Sequence, residues 1–469
     1  MGYLGNQPAE SYASFAKQVF TIVNSQTAYT LDHKVTNEFD IRLVINNVVQ
    51  EPGSGKAYTA SGTTLTLSAA LVNGTDEMYC VFLGRALQTV NPPNASVGTS
   101  QLASDSVTYE KIGYNANQYR NIIINGDMSI AQRGTSASSL TSSAYNTVDR
   151  WHLALSSLGT WTQSQSTDVP TGQGFATSMK LDCTSADASP SASDAMIFQT
   201  RIEGQMLQYL KKGTSSAEST TMSFWVKSNK TGTYICELRD NDNSRQISNS
   251  YTISSADTWE KKEITFAGDT TGAFDNDNAK SLEIEFWLGA GTDYTSGSLA
   301  TSWASATNAN KAVGQVNLAD STSNEWYITG IQLEAGTAAS DFEFLPVDVN
   351  LQRCQRYFYE IISKTDTNNY VAHGHYYSSS NIKLPVRLPT QMRSVPTLEQ
   401  SIATNALRFY RDSTYDGQSA NFVLDGNGNG RYVSIYNSTD ASGTAGQAGQ
   451  LYKYTPTQAD SYIWLNAEL

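Results

Sequence analysis

In TTMSFWVKSNKTGTYICELRD, residues 220–240, apolar and polar side chains alternate on both sides of one polar break. Met222, Phe224 and Val226 fall on one face of an extended chain, and SNKTG supplies the small and polar residues of a turn. Period-two hydrophobicity with such punctuation is the signature of strands joined in a hairpin. KSLEIEFWLG repeats the pattern, with Leu282, Ile284, Phe286 and Leu288 on one side, and KKEITFAG and EWYITGIQLEAG follow suit. The separators NDNSRQ, DTTGAFDNDN and STSN are Gly, Asn, Asp and Ser turns. So many short strands over residues 119–348 imply a jelly-roll-like sandwich. RIEGQMLQYLKKG reads instead as a short amphipathic helix, because Ile202, Met206 and Leu210 recur every four residues and Gly213 closes it.

Outward from this region the texture changes twice. Residues 1–90 alternate again in QVFTIVNSQTAYTL and DIRLVINNVVQEPGSGKAYTASGTTLTLSAAL. Phe39, Ile41, Leu43 and Ile45 are expected to share a face, with Asn46 and Asn47 turning the chain and Leu65 and Leu67 returning it in a small β-sandwich. Residues 91–118 lack a strand pattern. There Ser96, Val97 and Leu102 recur ten residues on as Ser106, Val107 and Ile112. Each copy is too short to bury its own side chains, so the segment is either a plain linker or a trimerising repeat that needs copies from other chains. Residues 349–469 hold 12 of the 26 tyrosines and are expected to form a separate β-domain, after VDVNLQRCQRYFYEI bends out of the sandwich. The fold class is therefore mainly β: several sandwich or jelly-roll domains in tandem, joined by a short trimerising linker.

The 469 residues carry 31 Lys and Arg against 44 Asp and Glu, a net charge of −13. That is the wrong sign for gripping nucleic acid phosphates or an anionic leaflet, so neither nucleic acid nor membrane is an expected partner. Charged residues are only 16% of the chain, below the roughly 25% of ordinary soluble domains, with uncharged polar residues and glycine in their place. No run approaches the roughly 20 apolar residues that span a bilayer. The first twenty residues lack a secretory pattern, and Asn6 breaks the myristoylation motif. Cys80, Cys183, Cys236 and Cys354 are spaced as neither a metal set nor a disulfide framework, and read as buried thiols made in a reducing cytoplasm.

Catalytic pairs are sparse. Glu283 and Glu285, two apart on one strand, point the same way and could approach the roughly 5 Å spacing of a glycosidase pair, but their alternation with apolar residues reads as a solvated strand edge. There is no G-x-S-x-G elbow, and none of His33, His152, His373 and His375 sits in an activating motif. The expectation is that the chain is not an enzyme. DGNGNG at Asp425–Gly430 opens like a calcium loop, but the twelfth position is Tyr436, so a β-hairpin is favoured; Asp240, Asp242, Asp275 and Asp277 read as exposed turns. His373-Gly-His375 places two imidazoles on one side of a strand, six in a threefold assembly, and is the candidate metal site; no other cofactor is implied.

Binding needs less machinery: an aromatic platform for apolar C–H faces, with polar groups around it. Tyr376, Tyr377, Tyr410, Tyr415, Tyr432, Tyr436 and Trp464, with Arg408 and Arg411, are the candidate receptor-binding residues; Tyr452, Tyr454, Asn381, Arg387 and Asn421 accompany them. In the central region Trp225, Trp259, Trp287 and Trp326 read as core, and Trp161 and Trp303, in Ser/Thr/Gly-rich surroundings, as surface.

Three strings carry a resemblance: NIIINGDMSIAQRGTS with YNTVDRW, and WYITGIQLEAGTAASDFEFLPVDVNLQRCQRYFYE. They look like receptor-binding modules of bacteriophage tail fibres. TTMSFWVKSNKTGTYICEL and YTISSADTWEKKEITF resemble the carbohydrate-binding-type jelly roll found in such fibres, and the N-terminal region with SQLASDSVTYEKI is similar to their virion-attachment heads. The resemblance implies a homotrimer in the virion tail, made in the host cytoplasm. Tail or adaptor proteins would hold its N-terminal domain, Val97, Leu102, Val107 and Ile112 would knit the trimer, and its tip would bind a host surface glycan or protein. The His-x-His spacing resembles the iron sites of some trimeric fibres.

Overall fold

The computed structural model describes residues 15–83, 120–426, 430–454 and 461–469. Val97, Leu102, Val107 and Ile112 lie outside the described residues, as do Asn427–Asn429. The chain divides into two compact units, Met1–Ile112 and Gly113–Leu469.

In the first unit β1 (Lys17–Phe20), β3 (Ile41–Ile45), β4 (Val48–Val49) and β6 (Met78–Phe82) form a sheet in the order β1-β6-β3-β4, beside a pair of β2 (Ala28–Val35) and β5 (Tyr58–Leu67). Asn46 and Asn47 join β3 to β4 with φ of 49° and 67°, the left-handed pair that a tight hairpin turn demands. Leu31, Ile41, Leu43, Tyr58, Leu65 and Cys80 close the core. Two expectations fail here. Phe39 sits in a 3-10 turn capped by Asn37 and is 66% exposed, because the turn rotates it out of the alternation of β3. Leu65 and Leu67 lie on β5, whose partner is β2.

The second unit begins with a jelly roll: β7 (Ser136–Ala144), β8 (His152–Ser166), β9 (Ser178–Ser185), β10 (Ala195–Glu203), β11 (Thr220–Ser228), β12 (Gly232–Asp240), β13 (Arg245–Ile253), β14 (Glu260–Phe266), β15 (Lys280–Ala290), β16 (Ala304–Ser305) and β17 (Glu325–Ala335). β8 bridges two layers. Its first residues pair with β10 and its last with β9, which separates β14-β11-β17-β9 from β10-β15-β12-β13. The layers meet through rings: Phe286 of β15 lies 5.1 Å from Phe224 of β11, and Phe198 of β10 stacks at 4.8 Å on Trp151. Met222, Phe224 and Val226, with Leu282, Ile284, Phe286 and Leu288, fill the space between them. Each such buried side chain contributes about 1.5–3 kcal/mol.

Several side chains depart from their expected places. Trp161 is fully buried on β8, its indole donating to the Leu158 carbonyl at 2.8 Å. The strand continues through a Ser/Thr/Gly-rich stretch that looks like a loop. RIEGQMLQYLKKG is the end of β10 followed by two 3-10 turns, Gly204–Met206 and Gln208–Leu210, with no α-helix. Glycine is required at 204, since a Cβ there would stand 2.0 Å from the Asp275 carbonyl. Glu283 and Glu285 are buried. Glu283 is held by Arg201 and Lys280 at 2.9 Å each, and Glu285 lies in register with Glu237. Asp240 is buried as well, its charge met by the Lys212 ammonium at 2.6 Å. All four cysteines are free and buried.

A helix, Val347–Gln355, leads into β18 (Phe358–Ile362), β19 (Asn369–Ser378), β20 (Asn381–Arg387), β21 (Thr397–Ser401), β22 (Leu407–Arg411), β23 (Thr414–Gln418), β24 (Val423–Leu424), β25 (Tyr432–Asn437), β26 (Ala448–Lys453) and β27 (Tyr462–Asn466). They build a three-stranded sheet, β18-β27-β21, and a seven-stranded one, β23-β22-β26-β19-β20-β25-β24. β24 and β25 pair as the hairpin expected around the Asn-Gly run.

The strings that carry the tail-fibre resemblance meet where this module joins the jelly roll. Asn125 ties its own loop together, donating to the carbonyls of Ile130 and Asp149 and accepting from Ile130 N–H, while Trp151 donates to the Asn125 carbonyl. Arg133 and Arg150 ion-pair with Glu468, and Arg150 stacks 3.4 Å over the Tyr357 ring. Glu203 of β10 accepts two bonds of 2.7 Å from Arg356 and one from Tyr357. Those strings therefore build a joint that fixes the carboxyl-terminal sheet against the jelly roll.

Candidate functional site

Alternation along the seven-stranded sheet sends one set of side chains inward and the other to solvent. Tyr376, Ile382, Leu384, Phe409, Val433, Ile435 and Leu451 go inward and are buried. The register then lines up the outer set across the sheet. Tyr415 of β23 faces Tyr410 of β22, Arg408 faces Tyr452 of β26, and Tyr452 faces Tyr370 of β19. On the other half His375 faces Lys383, Lys383 faces Tyr436, and Arg387 faces Tyr432.

The outer residues contact one another. Tyr410 lies 5.2 Å from Tyr415 and 5.5 Å from Tyr452, and Tyr370 lies 5.1 Å from Tyr452. The Arg408 guanidinium sits 4.4 Å over Tyr415 and 3.3 Å over Tyr454. Lys383 spans Tyr377, 4.3 Å from the ring, and the Asp425 carboxylate at 2.9 Å. Tyr370, Tyr377, Tyr415 and Tyr432 are each close to half exposed or more. Such a surface offers rigid ring area and phenol hydroxyls at small entropic cost, held in place by cations stacked on the rings.

This face collects Tyr377, Tyr410, Tyr415, Tyr432, Tyr436 and Arg408 from the expected receptor-binding residues. Tyr370, with no motif around it, stands there too. Three others do not belong to it. Tyr376 is fully buried, its hydroxyl donating to Asp416; burial, with Asp416 beside it, pushes the phenol up to about 12. Arg411 is bound to the Tyr376 hydroxyl at 2.9 Å and to Asp416 at 3.0 Å, and so braces a loop. Trp464 is buried on β27, stacked on Tyr462 at 3.9 Å. Spacing along the strand determines these assignments, since Tyr376 and Tyr377 are neighbours and must face opposite ways.

His373 and His375 both lie on the outer face, and His373 Nδ1 is 3.3 Å from the Gln450 amide. Among the described residues no group of three or more His, Cys, Asp or Glu is arranged to hold a metal ion. One chain supplies this pair alone.

The jelly roll carries a second aromatic surface where the sequence points to core. Trp225 is half-buried on the outer side of β11 and lines a cleft of about 410 Å3 with Phe175, Phe342 and Phe344. The Phe rings touch one another at 4.9–5.2 Å. Trp259 also lies at the surface, half-buried, its indole donating to Asp168 at 2.9 Å. Trp287 and Trp326 are buried as expected. Trp303, expected at the surface, is only partly buried; it packs on the core and donates to the Ala267 carbonyl at 2.7 Å.

No protein-family model matches this sequence, and no curated protein matches it either. Solved structures align with parts of it. The enzymatically active domain of tailspike protein 4 from bacteriophage CBA120 aligns at 18% identity and a TM-score of 0.25, over 47% of this chain and 22% of that one. A family 11 carbohydrate-binding module of a Clostridium thermocellum cellulosomal cellulase aligns at 13% identity and a TM-score of 0.21, over 43% of this chain and 99% of that one. A tandem CBM22 domain of Paenibacillus barcinonensis Xyn10C aligns at 9% identity and a TM-score of 0.23, over 75% and 97%. The sandwich itself is defined by the pairing of β7 to β17.

Proposed function

We propose that this chain is a bacteriophage tail fibre that attaches the virion to its host by non-covalent binding of a surface receptor, a glycan in the first instance. One observation carries the reading: the exposed tyrosines of the carboxyl-terminal module gather on a single sheet face, interleaved with Arg408, Lys383 and Arg387. Sugars present apolar C–H faces between hydroxyls, and flat phenol rings flanked by donors suit both. Three copies of a weak site act together, because the first contact raises the effective concentration for the second. The role of residues 1–90 in attachment to the tail, and of residues 91–118 in trimerisation, rests on the sequence resemblance.

Adhesion without bond cleavage fits the carboxylates. Glu283 is neutralised by Arg201 and Lys280 beneath the surface, and Asp240 is tied to Lys212. The test is incubation of the full chain with host surface polysaccharide. Retention of the polysaccharide without new reducing ends supports the adhesin, new reducing ends would make it a hydrolase, and no retention would leave a structural appendage. Light scattering of the purified chain is expected to give three times 51.0 kDa.

A further inference from the structure

We infer that the cleft beside Trp225 is a second binding site, for a hexose carrying an N-acetyl group, separate from the tyrosine face. The inference rests on the glycan-binding reading given above and adds the class of sugar.

The cleft is built by the backbone. β11 and β17 fall out of register between Ser223 and Trp225, and Gly330 sits at that irregularity with φ +64°. A Cβ on Gly330 would stand 2.5 Å from the Phe175 ring, so glycine is what lets that ring lie against the sheet. Phe342 and Phe344 then pack on Phe175 from the segment that follows β17. Phe344 is 49% exposed although it packs on two other phenyl rings. The volume of about 410 Å3 lies within the roughly 300–1,000 Å3 of small-molecule sites.

The lining has two chemistries. Trp225 offers a flat indole face beside the polar groups of Ser223, Lys261 and Asp341. The same cleft is lined by the rings of Phe175, Phe342 and Phe344, which offer a sugar hydroxyl no hydrogen bond in exchange for the water it gives up. A plain hexose can therefore lay a C–H face on Trp225, but a hydroxyl that it turns toward the phenyl rings loses its water without gaining a partner. An acetamido group resolves the mismatch: its methyl enters the phenyl rings, while its N–H and carbonyl stay at the polar rim.

Chitotriose and cellotriose share a β-1,4-linked backbone and differ at C2, acetamido in one and hydroxyl in the other, which makes them the direct probes. Calorimetric titration of the full chain is expected to show chitotriose bound at least about tenfold more tightly than cellotriose, the order of discrimination that one added apolar group gives in a fitted pocket. Trp225→Ala should remove binding of both. Phe344→Ser, at a half-exposed position that leaves the core intact, should erase most of the preference. Equal affinities, or chitotriose binding unchanged in both variants, would overturn the assignment. Failure of both trisaccharides to bind while the chain still retains host polysaccharide would overturn this site and leave the tyrosine-face reading standing.

Discussion

Replacing Glu203 by glutamine should cost about 3 kcal/mol, because its carboxylate is the fully buried centre of the joint that orients the tyrosine face. The two oxygens receive Arg356 Nε and Nη2 at 2.7 Å each, the Tyr357 hydroxyl, and the Gln205 amide. Burial alone would raise this carboxyl, but the bonds from Arg356 and Tyr357 outweigh it and hold it below the ordinary glutamate value. The joint is therefore at full strength above the usual glutamate pKa and is lost as pH falls below it through the lower folded value. Glutamine keeps the shape but turns an N–H pair toward the guanidinium, leaving a charge without its counter-ion. Breaking a buried pair costs roughly 3–5 kcal/mol. The lower end applies because the Arg356 side chain is 24% exposed and recovers some hydration. For a domain of 150–250 residues that loss lowers Tm by about 2–4 °C per kcal/mol, and somewhat less for a larger unit. Urea unfolding of wild type, Glu203→Gln, Arg356→Met and the double variant gives the coupling directly. The second substitution should cost little once the first is made, so the two effects fall short of adding by about 1–3 kcal/mol. Additivity within about 0.5 kcal/mol would refute the claim that this pair is the joint.

Three further outcomes follow from particular residues. Gly330→Ala forces a Cβ into the left-handed region and onto Phe175, so it should destabilise by at least about 1–2 kcal/mol and abolish binding in the Trp225 cleft, read by thermal unfolding and titration. Burial raises the Glu360 carboxyl to about 7, so its share of stability is present below its unfolded value and is lost as pH rises through 7. Glu360→Gln cannot ionise, so its Tm relative to wild type should climb between pH 5 and pH 8; a constant difference would contradict the assignment. Asn47→Val places a β-branched residue at φ 67°, and should cost about 1–2 kcal/mol in the amino-terminal unit and leave glycan binding unchanged.

The strands were legible because alternation is a local property. Met222, Phe224 and Val226, and Leu282 to Leu288, are buried as their spacing requires. The same rule separates Tyr376 from Tyr377, neighbours on one strand that face opposite ways. What local pattern could not supply was what the adjoining strands place around a residue. Glu283 and Glu285 alternate like solvated residues, yet β10 brings Arg201 beside the first, where Lys280 of the same strand also reaches it, and β12 brings Glu237 beside the second. The Trp225 cleft depends on Phe342 and Phe344, which arrive from more than a hundred residues away and leave no mark near Trp225 in the sequence. Trp161 misleads for the opposite reason: serine and glycine around it suggest a loop, while β8 passes from one layer to the other at residues 157–159, where φ is positive at Ser157 and Gly159 and a Cβ on Gly159 would stand 2.6 Å from the Ser185 carbonyl.

The most direct test of the central claim is equilibrium binding of host surface polysaccharide to wild type and to a Tyr410→Ala, Tyr452→Ala double variant with unaltered thermal unfolding. Aromatic anchors at the middle of a contact surface are worth about 2 kcal/mol or more, so affinity should fall at least about thirtyfold. Undiminished retention of the polysaccharide by the variant would contradict the account.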